Sequence, residues 1–336
     1  MKHCLDSSLP LRKSQLGYSI VEWMIVIMLT LFLTAGVLTI FVSSQRATTA
    51  SLGSSELQEN ASFALQLLTR DLKQSYFFAQ ATGENRELWN LNGAAIATSL
   101  DCLDDISSGS FPASGQYRQL WAATVPSVIS NLKMACVNDS DSATSLITNT
   151  DYISIKRARG LAQTGSFLAD RYYLDLRPSG ITVYLGDASA LTTAAISPAW
   201  EYIHHVYYLD KEADIPRLRR LRLEKNKMVR EEVLVEGIEN MQFMFALDKL
   251  IASDRDGSIH AFVGASQVTA NDWDSNRVIG IKIYLLVRAL EKTAGYVNND
   301  TYQLGTESFT APGDAYKREL VSHVLTFQNS VVLVDD

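Results

Sequence analysis

The first seventeen residues are polar and carry Lys2, Arg12 and Lys13 against Asp6. The pattern then changes abruptly. Tyr18 to Val42 is apolar except for Glu22 and scattered Ser and Thr, and from Trp23 to Val42 no residue is charged. At 1.5 Å per helical residue such a run reaches about 30 Å, the thickness of a bilayer core. Basic residues before it and few after it place the leader in the cytoplasm and the remainder outside. A secretory signal would have a shorter apolar core ending in a small-residue site on its far side. Here the glycine, Gly17, lies on the near side.

Periodicity extends the helix beyond the membrane. Residues 43–79 contain no proline and one glycine, Gly53. Leu57, Ala61, Ala64, Leu68, Leu72 and Tyr76 recur at three- and four-residue steps, which makes one apolar stripe. Glu56, Glu59, Gln66, Arg70, Asp71 and Lys73 form the polar face. Residues 80–150 are rich in Ser, Gly, Ala, Asn and Asp and predict loops with short elements. From 151 to 336 strand signals dominate: Tyr152–Arg157, Tyr172–Leu176, Ile181–Leu185, Tyr202–Leu209, then Leu218–Glu224 paired with Met228–Val235 across Lys225–Asn226–Lys227. Val278–Val287 and Glu319–Phe327 read as closing strands. With no long helical pattern among them, a mostly antiparallel sheet is expected.

Composition adds exclusions. Apolar residues make up 47% and charged residues 20%, the balance of a folded chain rather than a disordered one. A net charge of −7 argues against nucleic acid as a partner, which needs a dense Lys/Arg surface. The basic run Arg217–Arg222 alternates with leucine and reads as the solvated face of a strand. Cys4 lies in the leader. Cys102 and Cys136 stand in the body, and in an exported domain they are expected to form one disulfide; two buried free thiols or a metal are the alternatives.

Catalytic signatures are missing. There is no GxxxxGK[ST], GxGxxG, HExxH or GxSxG. His204 and His205 are adjacent on a strand and so face opposite ways, which prevents joint ligation of one metal. Asp254 and Asp256, before Gly257, offer oxygens suited to calcium, but the ladder of an EF-hand loop is incomplete and Asp-Gly is also a hairpin turn. No cofactor is expected, with calcium at Asp254 and Asp256 the sole candidate.

Glu22 needs an explanation, because an ionised carboxylate inside an apolar helix costs about 2–3 kcal/mol unless paired. Gly17–Tyr18–Ser19–Ile20–Val21–Glu22–Trp23–Met24 resembles the prepilin peptidase motif of type IV pilins and type II secretion pseudopilins. Val235–Glu236–Gly237–Ile238–Glu239–Asn240–Met241–Gln242–Phe243 resembles a segment of PilW-type minor pilins and J-type pseudopilins. Ile279–Ala289 and the ending Lys317–Asn329 are similar to PilW-type chains, with Phe327–Gln328–Asn329 where those chains usually read Leu-Arg-Asn.

The resemblance implies a cut between Gly17 and Tyr18, N-methylation of Tyr18, and a Glu22 that pairs with the amine of a neighbouring subunit. It implies an α+β fold: a long N-terminal helix, transmembrane over 18–42 and amphipathic over 43–79, packed on an antiparallel β head. The function it implies is that of a non-enzymatic minor pilin in the inner membrane with a periplasmic head, later at the pilus tip, where it primes assembly. A head this large would crowd a helical shaft. Implied partners are other minor pilins, the major pilin, a tip adhesin, prepilin peptidase and the inner-membrane assembly platform. Adhesion, twitching motility and DNA uptake are all open to such a fibre. A J-type secretion pseudopilin is the alternative, and a membrane-anchored enzyme or sensor a more distant one.

Overall fold

The computed structural model describes residues 17–79, 90, 96, 100–103, 108–112, 117–138, 144–177, 180–188, 198–249, 251 and 254–331. The leader expected at 1–17 lies outside these residues except for Gly17, and so do Cys4 and much of 80–150. Two compact units divide at Leu52–Gly53.

Helix α1 runs Ile20–Leu72. In the first unit its apolar side chains from Ile20 to Val42 are exposed, and Ile20–Gln45 is long and apolar enough to cross a membrane. The hydroxyls in this stretch turn inward. Thr30 donates to the Val26 carbonyl at 2.7 Å, Thr39 to Ala35 at 2.8 Å and Ser43 to Ile40 at 2.9 Å. Such back-bonding satisfies polar groups that a lipid environment would leave unpaired.

In the second unit the stripe from Leu57 to Tyr76 is buried throughout. Two expectations are corrected here. The helix stops at Leu72 rather than continuing to 79, because Lys73 to Tyr76 form a turn in which Tyr76 takes φ 66°. That turn separates two aromatic anchors: Tyr76 packs on Phe327 with ring centroids 5.5 Å apart, while Phe78 reaches a different cluster beside Tyr117 and Tyr202. Asp71, read as part of the polar face, is buried. It borders the stripe next to Leu72, one turn from Leu68, and the sheet covers it.

The strands in chain order are β1 (Leu120–Thr124), β2 (Thr144–Leu146), β3 (Asp151–Gln163), β4 (Tyr172–Arg177), β5 (Gly180–Leu185), β6 (Ala199–Glu212), β7 (Ile215–Glu224), β8 (Lys227–Arg230) and β9 (Val235–Glu236). Among the described residues these nine form one antiparallel sheet with β6 as its spine. One edge of β6 carries β3 and then β2, and the other carries β4 and then β7. The single strand expected over Met228–Val235 is divided into β8 and β9. Between them Glu231 swings to Arg220 and Arg222, and the ladder is interrupted.

The chain then enters a second sheet: β10 (Ile238–Leu247), β11 (Ala261–Gly264), the short helix α2 (Ala270–Asp274), β12 (Val278–Arg288), the hairpin β13 (Thr301–Leu304) and β14 (Glu307–Thr310), β15 (Arg318–Thr326), and a last turn α3 (Gln328–Val331). The order across this sheet is β11-β10-β12-β15. Its buried residues join those of α1 and the first sheet in one core.

Cys102 and Cys136 form a disulfide across a separation of 34 residues. Closing a loop of that length stabilises a fold by about 3–4 kcal/mol in the chain-entropy account. Replacing both cysteines with serine should lower stability by that amount, read by denaturant melting of the full chain in detergent. An unchanged midpoint would show that the loop is held closed without the bond.

Candidate functional site

The start of α1 is built from Gly17 to Trp23. Ser19 is the residue before the first helical position, and its N–H donates to Glu22 Oε2 at 2.9 Å, while its Oγ accepts from the Val21 N–H at 3.3 Å. This Ser-x-x-Glu arrangement caps the helix and sets a negative group against the positive end of its dipole. Glu22 is exposed, and its carboxylate is held one residue from the Tyr18 nitrogen. The backbone N–H satisfies one hydrogen bond, and no Lys, Arg or His pairs with the carboxylate among the described residues.

At the other end of α1 the sheet supplies a charged clasp that the sequence reading missed. Asp71 accepts from Arg157 Nε at 2.6 Å, from His205 Nδ1 at 2.6 Å and from the Tyr207 hydroxyl at 2.8 Å. Burial alone would push its carboxyl up, but His205 and Arg157 hold it well below the usual carboxylate range. Burial, aided by Arg220 and Arg157, outweighs Asp71 and lowers the His205 imidazole, which is therefore neutral and donates through Nδ1–H. Arg157 and His205 share one face of the sheet, since Ile155 stands opposite His205 and Arg157 opposite Ile203.

His204 points to the opposite face, as strand alternation requires. Its Nδ1 lies 2.8 Å from Ser110 Oγ and its Nε2 2.8 Å from Ser154 Oγ. Ser110 donates to Asp101 Oδ1 at 2.5 Å, so His204 Nδ1–H donates to Ser110 and Nε2 accepts from Ser154. A serine beside a histidine invites a catalytic reading, but Ser110, Ser154 and His204 are all fully buried. Their chemistry here is hydrogen-bond satisfaction. Burial, the largest cause, and the nearby Lys156 drive the His204 pKa well down.

The basic run on β7 is not a solvated face. Arg217 is buried against Asp210 and Glu212, Arg219 also reaches Asp210, and Arg220 and Arg222 reach Glu231. Strand alternation looks the same whether the arginines meet water or carboxylates.

Of the three segments that carried the resemblance in the head, the first and the last meet each other. Val235–Phe243 is where the chain leaves the first sheet for the second, through Gly237 at φ 85°. A Cβ there would come within 2.7 Å of the Arg288 carbonyl, so both conformation and space call for glycine. Glu239 then forms a two-pronged ion pair with Arg318, at 2.5 and 3.0 Å, and Arg318 is also held by Asp314. Asp151 ties the sheets again by accepting the Phe243 N–H at 2.8 Å; burial pushes its carboxyl up to about 7. At the end of the chain Asn329 donates to the Ser75 carbonyl at 3.1 Å, so Phe327–Gln328–Asn329 closes on the turn after α1.

Of the calcium candidates, Asp256 clusters with Asp248 and His260, their ligand atoms within 4.8 Å of one another, and Asp254 is not in that group. Asp256 already meets Lys249 at 2.8 Å, and Asp248 accepts the N–H groups of Lys249 and Gly257. An ammonium and two turn amides thus share the carboxylate oxygens that a cation would use.

A long apolar helix followed by antiparallel sheets makes this an α+β chain. Residues 206–329, from the spine of the first sheet to the last turn, match the model of the family described as type IV pilus-assembly protein W. A type IV-like pilin from Thermus thermophilus is similar at 13% identity and a TM-score of 0.29, over 56% of this chain and 83% of that one. Comparison with curated proteins gives no match. The family match supports a pilin-like role in type IV pilus assembly.

The two histidines set an acid sensitivity. Both have folded-state pKa values below the ordinary value of about 6.5, so the unfolded chain takes up their protons first and stability falls as pH drops below that value. Asp71, held low, contributes stability above about 3.9 that is lost at more acid pH. Asp151 acts oppositely, with a contribution complete below about 3.9 and lost as pH rises through about 7. Subtracting the curve of a His204→Gln variant isolates one histidine: the gap in melting temperature between wild type and variant should shrink from pH 7 to pH 5. Parallel curves would contradict this assignment.

Proposed function

We propose that this chain is a minor pilin of a type IV pilus. It inserts in the inner membrane by Tyr18–Val42, is cut between Gly17 and Tyr18 by prepilin peptidase, is N-methylated at Tyr18, and joins other minor pilins and the major pilin at the pilus tip to prime assembly. The observation that carries this reading is Glu22, the one charged group in the apolar stretch Tyr18–Val42, held at the first turn of the helix with no cation against it among the described residues. The α-amine of an adjacent subunit is the complementary group, and pairing in an apolar medium would favour one axial stagger between helices. The matched family's description as pilus assembly favours a pilus over a secretion pseudopilus.

Glu22→Gln should leave membrane insertion and cleavage intact yet reduce the number of surface pili by about tenfold or more, since an amine left unpaired in apolar surroundings costs several kcal/mol. Pili counted by electron microscopy decide the matter. Normal piliation in that variant would remove the mechanism.

A further inference from the structure

Beside the Asp71 clasp the head carries a cleft of about 600 Å³ that none of the roles above uses. Its lining includes Arg70, Arg157, Arg159, Arg171, Arg220 and Arg222 against only Asp71 and Glu201. Two further carboxylates, Glu224 and Glu231, brace Arg222 and Arg220, and Asp170 lies 3.8 Å from Arg171. Even so, guanidinium N–H groups outnumber acceptors. Arg171 Nε and Arg222 Nε are buried and have no hydrogen-bond acceptor among the described residues. Arg70 stands exposed on the last turn of α1. In a chain of net charge −7, this concentration of arginine is a local reversal of sign.

The rim is apolar. Between Ala158 and Ala162 the pairing of β3 with β6 shifts register, so that Arg159, Gly160 and Leu161 oppose the single residue Glu201. A bulge of this kind re-aims side chains. It leaves Leu161 79% exposed; Leu168, also in the lining but past the end of β3, is 57% exposed.

We infer that this cleft binds an acidic peptide segment of a partner protein, with Asp or Glu carboxylates on the guanidinium wall and an apolar side chain on Leu161 and Leu168. Carboxylates match the forked arginine donors in pairs. The volume is that of a site for an extended ligand rather than for one inorganic oxyanion. A free phosphate would answer the arginines but leave both leucines bare. Arg159 and Arg171 neutralise the buried Glu201, so that carboxylate does not repel the ligand.

The test uses the full chain in detergent and fluorescence anisotropy of labelled hexapeptides alternating Glu with Leu or Gln with Leu, with inorganic phosphate as competitor. The Glu–Leu peptide should bind, the Gln–Leu peptide should not, and binding should weaken with salt. Arg70→Gln with Arg159→Gln should weaken the Glu–Leu peptide by about tenfold or more at an unchanged melting temperature. Leu161→Ser should weaken the peptide but leave phosphate competition unchanged. The inference is overturned by no binding to the folded wild type, by equal binding to the arginine variant, or by phosphate competing as tightly as the peptide. The readout is binding by the isolated chain, so the outcome does not depend on whether the chain assembles into a pilus.

Discussion

The carboxylate of Asp71 sets how the head is organised around the second half of α1. A buried charge without partners would cost several kcal/mol, so the helix can sit only where partners converge. Arg157 on β3 and His205 and Tyr207 on β6 meet it within 2.6 to 2.8 Å. The apolar stripe above it gains from almost any contact with a greasy face. Asp71 fixes the register among those contacts, because sliding or rotating the helix by one residue would strand four polar side chains together. Tyr207 passes the constraint on to Arg220, and through Glu231 to the break between β8 and β9.

The second constraint is how one core serves two sheets. The chain crosses from β9 to β10 at Gly237, where the backbone φ and the nearby Arg288 carbonyl leave no room for a side chain. Asp151 and Gln242 tie the sheets on one side of that crossing, by bonds to the Phe243 N–H and the Asn149 carbonyl. Glu239 and Arg318 lock it to the final strand. The family match over 206–329 thus falls on the part of the head that holds the two sheets together and closes the chain end against the turn after α1.

Much of this was legible along the chain, for physical reasons. The stripe from Leu57 to Tyr76 reads correctly because helical burial repeats every three or four residues. Strands β3 to β7 and β12 read correctly because they alternate or run apolar between turn residues. Two body cysteines pointed to one disulfide. What could not be read were the partners across long separations: Asp71 and Arg157 are 86 residues apart, Asp71 and His205 134. Local pattern assigns a lone aspartate beside a stripe to solvent. The same blindness made the β7 arginines look solvated, and it hid the arginine cleft, whose members come from α1, β3, β6, β7 and the approach to β4. The short strands β1, β2, β13 and β14 lack enough residues to show a period.

The proposed function rests on the other end of the chain, where the Ser19 N–H holds Glu22 and no cation meets it among the described residues. If that carboxylate waits for an amine, the amine must be made by a cut directly before Tyr18. Mass spectrometry of the N-terminal peptide, from chain purified out of membranes that contain prepilin peptidase, reads this most directly. The expected product is a peptide that begins at Tyr18 and carries a methyl group on its amine. A chain that retains Met1, or one cut at any other bond, would contradict it.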